Sequence, residues 1–223
     1  MKKHTLILLI LTTWPLWGIA QWTVQLSAGT GIAKLWQKME IRNEVSNQTY
    51  ASVNLSTVLG AGFTYHFNTH IAIGTGVSYD YTYYEDPVYS SDFHKEHTDL
   101  KAIQIPLKFQ WTTGKKLRSI FSLGLIANIN LLQHDYQFDP DYTYTYHYTP
   151  FYTGISAGYA YALGKRFSLG IDLYEDLSAF MTEKYLSGTD PQEVVKTNRR
   201  YFYTVQFMLH YRLFGKIKPA VIP

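Results

Sequence analysis

The sequence predicts an all-β fold: an eight-stranded antiparallel transmembrane up-and-down β-barrel, preceded by a cleavable signal peptide. Three observations predict it. Apolar or aromatic residues alternate with small or polar ones, the two-residue strand period, in eight separate segments. The bulky face of every segment is nearly free of charge, while the opposite face is mostly Gly, Ser, Thr, Asn and Gln. The links between segments alternate between very short and long.

Residues 1–20 read as an export signal. Lys2, Lys3 and His4 form a basic start, and Leu6 to Trp17 is a mostly apolar run. Gly18-Ile19-Ala20 supplies the small residues of a cleavage site before Gln21. The run is too short to span a membrane as a helix.

The first strand places Trp22, Val24, Leu26, Ala28 and Ile32 opposite Thr23, Gln25, Ser27, Gly29 and Gly31. The second sets Val53, Leu55, Leu59, Ala61, Phe63 and Tyr65 against Asn54, Ser56, Gly60, Gly62, Thr64 and His66. In the third, Ile71, Ile73, Val77, Tyr79, Tyr81 and Tyr83 oppose Ala72, Gly74, Gly76, Ser78, Asp80 and Thr82. The fourth sets Ile103, Ile105, Leu107, Phe109 and Trp111 against Gln104, Pro106, Lys108 and Gln110. The fifth has Phe121, Leu123, Leu125, Ala127, Ile129 and Leu131 against Ser122, Gly124, Asn128 and Asn130. The sixth runs from Phe151 to Tyr161 over Gly154, Ser156, Gly158 and Ala160, and the seventh from Phe167 to Leu173 over Ser168, Gly170, Asp172 and Tyr174. The eighth runs from Tyr201 to Leu213 over Thr204, Gln206, His210 and Arg212.

A water-soluble sandwich would put Lys, Glu and Asp on its outer face, and a lipocalin-like barrel would turn its bulky residues inward. Bulky residues on one face and small polar ones on the other match a lipid-facing exterior around a narrow polar lumen, and eight strands leave an interior that side chains just fill. Asn68-Thr69, Thr113 to Lys116 and Leu163 to Arg166 are the short turns. Trp36 to Ala51, Glu85 to Thr98, Gln133 to Thr149 and Leu177 to Asn198 are the long links. That asymmetry fits periplasmic turns and outer loops. Aromatic residues gather at the strand ends, including Trp22, Tyr65, Phe109, Trp111, Tyr161, Phe167, Tyr211 and Phe214 on the turn side. Trp36, Tyr81, Tyr83, Phe151 and Tyr201 gather on the loop side, giving two interfacial girdles.

Composition narrows the classes further. Of 223 residues, 17% are aromatic and only 17% charged; without Lys2 and Lys3, 18 Lys+Arg face 17 Asp+Glu. Such a balance argues against nucleic acid as a partner. There is no cysteine, hence no disulfide, thiolate metal site or lipidated cysteine. No later segment approaches twenty continuous apolar residues, so a spanning structure has to be a closed barrel.

The chain resembles the small outer-membrane β-barrel proteins of the Bacteroidetes type, called porin-family or PorT-like. The resemblance rests on Ala20-Gln21 ahead of the first strand, Ile105-Pro106-Leu107-Lys108, the Gly-rich fifth and sixth strands, and the aromatic end of the eighth strand at Phe214. It implies a bacterial outer-membrane location and a barrel over 21–214. Gly215 to Pro223 departs from the family pattern, in which the closing aromatic lies near the C-terminus, and reads as a short periplasmic tail.

Four patterns carry chemistry. Gly154-Ile155-Ser156-Ala157-Gly158 matches a nucleophile elbow in letters, but it lies inside an alternating strand, where Gly and Ser fill a lumen. His94, His97, Asp92, Glu96 and Asp99, and separately His134, Asp135, Asp139, Asp141 and His147, have metal-ligand types without a diagnostic spacing, so no metal site is assigned. His66, Asp80, Lys108, Asp172, His210 and Arg212 fall on the lumen face, where charges need partners, and form the expected lumen polar network. Tyr142, Tyr144, Tyr146 and Tyr148 alternate with Thr143, Thr145 and His147 ahead of Pro150. They predict a hairpin above the membrane, with a bulge or kink at Pro150, whose edge could take a partner strand.

No catalytic set and no cofactor are expected. The expected partners are outer-membrane lipids and another envelope or extracellular protein. The functional expectation is a structural or partner-binding surface protein acting through its outer loops. A narrow pore or secretion-apparatus component, and an outer-membrane lipid-modifying enzyme, are the alternatives.

Overall fold

The computed structural model describes residues 21–41, 44–49, 54–85, 97–114, 118–131, 137–138, 144–186 and 194–215. These form twelve strands. They are β1 (Gln21–Ile41), β2 (Glu44–Thr49), β3 (Asn54–His66), β4 (Ile71–Glu85), β5 (His97–Thr113) and β6 (Ser119–Asn130). Then follow β7 (Gln137–Phe138), β8 (Tyr144–Tyr148), β9 (Phe151–Ala162), β10 (Phe167–Asp176), β11 (Met181–Leu186) and β12 (Val194–Phe214). β1, β3, β4, β5, β6, β9, β10 and β12 pair in that order, and β1 pairs back onto β12. Those eight antiparallel strands therefore close into a barrel with no free edge, and each holds all or most of one of the eight alternating segments, Val53 lying outside the described residues and Leu131 just past β6.

The faces fall as the alternation predicts. Along β3, Asn54, Ser56 and Thr64 are buried inside while Leu55, Leu59 and Phe63 are exposed outside. Leu123 on β6 is 58% exposed and Phe207 on β12 is 64% exposed. A continuous apolar surface of this kind is unstable in water and suited to hydrocarbon. Rings pack along the turn-side rim, with Trp22 against Tyr65 at 4.8 Å and Phe167 against Tyr211 at 4.9 Å. At the loop-side rim Trp36 stacks on Tyr201 at 4.2 Å.

The structure departs from expectation above that second rim. Trp36 to Ala51 and Leu177 to Asn198 are not plain loops. β1 continues to Ile41, β12 begins at Val194, and the two remain paired up to Ile41 opposite Lys196. β2 adds to the upper part of β1, β11 to the upper part of β12, β8 to β11, and β7 to β8. One wall of the barrel thus rises past the belt as a six-stranded sheet, β2-β1-β12-β11-β8-β7.

The reason lies in the side chains. Within the belt the outer face is apolar; above it the pattern inverts. Ala33, Leu35, Leu100, Ala102, Tyr152 and Phe202 turn inward into an apolar cluster. Lys34, Glu175 and Arg199 point outward and are exposed. Charge on the outside over a buried apolar cluster is the pattern of a soluble β-structure; Gln37, Asn198 and Arg200 are buried on the same inner face, and the change of faces marks where the sheet leaves lipid. Read by the rule for the belt, the inverted segments look like loop.

The short turns follow from their residues. The Asn68 side-chain oxygen accepts from the backbone N–H of His70 at 2.7 Å and Ile71 at 2.8 Å, closing the link between β3 and β4. Gly114 leaves β5 with φ near +96°, a conformation that favours glycine. Pro106 has no N–H to give β4. The Thr75 hydroxyl donates to the Pro106 carbonyl at 2.8 Å beside that gap.

Candidate functional site: the lumen and its two mouths

Lys108 on β5 and Asp172 on β10 meet across the lumen, Nζ to Oδ2 at 2.5 Å. β6 and β9 lie between those strands, and each contributes a glycine where the bridge passes. Gly124 pairs with Lys108, and a Cβ there would lie 2.8 Å from the Lys108 Cγ. Gly158 pairs with Asp172, and a Cβ there would lie 2.1 Å from the carboxylate. The glycines of this region are the space the ion pair occupies. On the turn side of the pair, His210 and Ser27 share a hydrogen bond of 2.8 Å through the imidazole Nδ1.

Asp80 has a different solution. Its Oδ1 accepts from Ser56 at 3.4 Å and Thr82 at 3.2 Å, and its Oδ2 accepts from the Gln104 amide at 3.0 Å and the Gln206 amide at 3.5 Å. Donors from four strands hold one carboxylate without a cation. Beyond it, Tyr174 donates to Asp176 Oδ1 and the Phe202 backbone N–H to Asp176 Oδ2 at 2.8 Å. Asn128 donates to the Tyr174 hydroxyl at 2.8 Å. Sequence reasoning stopped the seventh strand at Tyr174 and missed Asp176. One more residue of the same parity, two positions on, would have reached it.

The interior tapers toward the loop side. A turn-side vestibule of about 460 Å³ leads to a mid-lumen space of about 100 Å³. A void of about 10 Å³ then lies between Asp80, Asp176 and Phe202, room for roughly one water. Above it the lumen ends in the apolar cluster. Phe180, from the link between β10 and β11, is fully buried there, stacked on Phe202 at 4.7 Å and tilted against Tyr152 at 6.4 Å.

All six expected lumen residues face inward, but in three groups rather than one network. Lys108, Asp172 and His210 are central. Asp80 is held nearer the loop side, and His66 and Arg212 line the vestibule. His66 shares a 3.2 Å hydrogen bond with Thr23.

Among the tyrosines, Tyr144 and Tyr146 lie on β8 and Tyr148 ends it; Tyr142 lies outside the described residues. The chain is interrupted at Thr149-Pro150, where a bulge or kink is expected, with β8 ending at Tyr148 and β9 beginning at Phe151. One edge of β8 is taken by β11 along Tyr144 to Tyr148, while on the other β7 pairs with Tyr144 and Thr145, and Tyr148 packs on the apolar cluster. Ser156 sits mid-strand in β9, away from any turn, and Gly154 and Gly158 there make way for Tyr174 and Asp172. Of the metal-type candidates, residues 92, 94, 96, 134, 135, 139 and 141 lie outside the described residues. No metal-holding cluster occurs among the described ones.

Comparison with known proteins agrees with this architecture. Among solved structures, the outer membrane protein OprG from Pseudomonas aeruginosa aligns over 87% of this chain and 96% of its own, with a TM-score of 0.50 at 12% identity. Neisserial surface protein A aligns over 84% and 96%, with a TM-score of 0.41 at 15% identity. The attachment invasion locus protein Ail of Yersinia pestis aligns over 85% and 98%, with a TM-score of 0.41 at 11% identity. At 12% identity the likeness to OprG speaks to fold alone. No curated protein sequence matches the chain. A family model, outer membrane protein beta-barrel domain, matches residues 19–181, and the chain belongs to that family of bacterial outer-membrane barrels.

Proposed function

We propose that this barrel does not conduct and works as a structural or partner-binding protein through its outer surface. One observation carries the reading. The lumen ends in the Phe180–Phe202–Tyr152 cluster just where one wall of the barrel rises beyond the membrane as a six-stranded sheet. A closed mouth favours surface binding over passage, and the wall offers a rigid platform for another envelope or extracellular protein, with outer-membrane lipid around the belt. The pore reading, and with it passage through the lumen in a secretion apparatus, is disfavoured by the same closure. The lipid-enzyme reading loses its one motif, since Ser156 faces the lumen from mid-strand.

Within the family, we assign the chain to the porin-family, PorT-like type on the Ile105-Pro106-Leu107-Lys108 run and the Gly-rich β6 and β9. Residues 1–20 serve as the export signal, 21–214 as the barrel and 215–223 as a periplasmic tail. The family match from residue 19 and the start of β1 at Gln21 support that division.

The test pairs two measurements. Planar-bilayer recordings should be silent; regular openings overturn the non-conducting reading. Deleting residues 137–147 removes β7 and most of β8 but spares Tyr148, which packs on the apolar cluster. The variant should keep the barrel's gel mobility and lose binding of outer-membrane vesicles to other cell surfaces. Unchanged binding sinks the role given to this wall.

A further inference from the structure

The opposite mouth carries chemistry that the outer-surface reading does not use. None of the residues lining the turn-side vestibule is acidic, whereas Arg118, Lys165, Arg166, Arg212, His66 and His210 all are among them. The imbalance extends along the chain: residues 62–76, 109–124, 158–170 and 207–223 contain no Asp or Glu. The Asp172 carboxylate, deeper in the lumen, is already engaged by Lys108. Arg166 donates to the Tyr211 hydroxyl at 3.1 Å. The Arg212 guanidinium, half-buried in the vestibule wall, has no ion-pair or hydrogen-bond partner among the described residues. A half-buried guanidinium without a counter-charge gains from an anion that completes its hydrogen bonds.

We propose that the turn-side vestibule is a binding site for a phosphate-class anion entering from the periplasm, with Arg212 as its principal ligand. The shape fits. Arg212 and His210 come from β12 and His66 from β3, while Arg118 precedes β6 and Lys165 lies between β9 and β10, so cations surround the space from several sides. Thr23, Thr112 and Ser168 add hydroxyls to the lining. Donors arriving from several directions suit a tetrahedral oxyanion with many acceptor positions better than a planar carboxylate. A volume of about 460 Å³ takes a phosphate with an organic substituent. The same chemistry is presented by a soluble phosphate and by a phospholipid headgroup of the inner leaflet, and the experiment separates them.

In the first arm, the protein in zwitterionic micelles is titrated with inorganic phosphate and followed by calorimetry and phosphorus NMR. In the second, it is reconstituted with mixed phosphatidylcholine and phosphatidylglycerol, and lipid retained after extraction is measured by native mass spectrometry. Arg212→Gln should weaken the interaction by about tenfold or more, the loss of a charge-assisted contact. Lys165→Gln, on an exposed turn where folding is not at risk, should weaken it several-fold. Saturable phosphate binding that falls in these variants establishes the site with a soluble ligand. Phosphatidylglycerol retention that falls without phosphate binding establishes it with a headgroup. Absence of both interactions, or interactions that neither substitution weakens, overturns the proposal.

Discussion

Removing one partner of the Lys108–Asp172 bridge should cost far more than removing both. The pair is in contact at 2.5 Å, with side chains 20% and 14% exposed. At an effective dielectric near 20 the gross attraction is about 7 kcal/mol, most of it offset by desolvation. A fully buried ion left alone costs roughly 3–5 kcal/mol; partial exposure and the adjoining 100 Å³ space reduce this to about 2 kcal/mol for either Asp172→Asn or Lys108→Gln. The double variant leaves no orphan charge and keeps the shape that Gly124 and Gly158 accommodate, so it should cost under about 1 kcal/mol. The coupling is then about 3 kcal/mol. Urea unfolding from lipid vesicles, followed by tryptophan fluorescence and gel mobility, measures all four proteins. Additive costs, with the double variant near 4 kcal/mol, would refute the bridge as a coupled unit.

Unboiled protein should migrate faster than boiled protein in a detergent gel, as a closed barrel resists unfolding; identical mobility would contradict the closure between β1 and β12. Gly158→Ala should lower stability by displacing the Asp172 carboxylate, 2.1 Å from the new methyl, and Asp172→Ala should relieve much of that loss; equal effects in both backgrounds would show that the clash lies elsewhere. Leu123→Lys, facing lipid, should cost about 2–4 kcal/mol, whereas Arg199→Gln above the belt should change stability by less than about 0.5 kcal/mol. Equal costs in the same unfolding assay would remove the boundary inferred from the inverted faces. Phe180→Ala should cost about 3–5 kcal/mol because its ring is fully buried in the outer cluster; a neutral result would mean that the cluster does not seal the mouth.

Much of the architecture is local and therefore legible. Strand parity follows from a two-residue period, so Trp22, Leu26 and Phe63 outside and Thr23, Ser27 and Thr64 inside could be read without coordinates. Each expected lumen charge faces the lumen for the same reason. Parity does not say how far apart two inward residues lie. That Lys108 reaches Asp172 while Asp80 takes four neutral donors depends on the stagger of closure and on which glycines open a path, and both are set by pairings far apart in sequence. The upper wall was lost for another reason: where the sheet enters water, its faces exchange roles, and a rule tuned to lipid reads Lys38 and Glu40 as loop.

The chain by itself determined eight lipid-facing strands and a polar interior, because solvent on either side of a strand is written residue by residue. Only the tertiary structure decided that β11 takes one edge of β8, that Phe180 stacks on Phe202 at the loop-side end of the lumen, and that Arg212 shares a vestibule with Arg118 and Lys165. Those arrangements join segments tens of residues apart, and their geometry exists only once the barrel has closed.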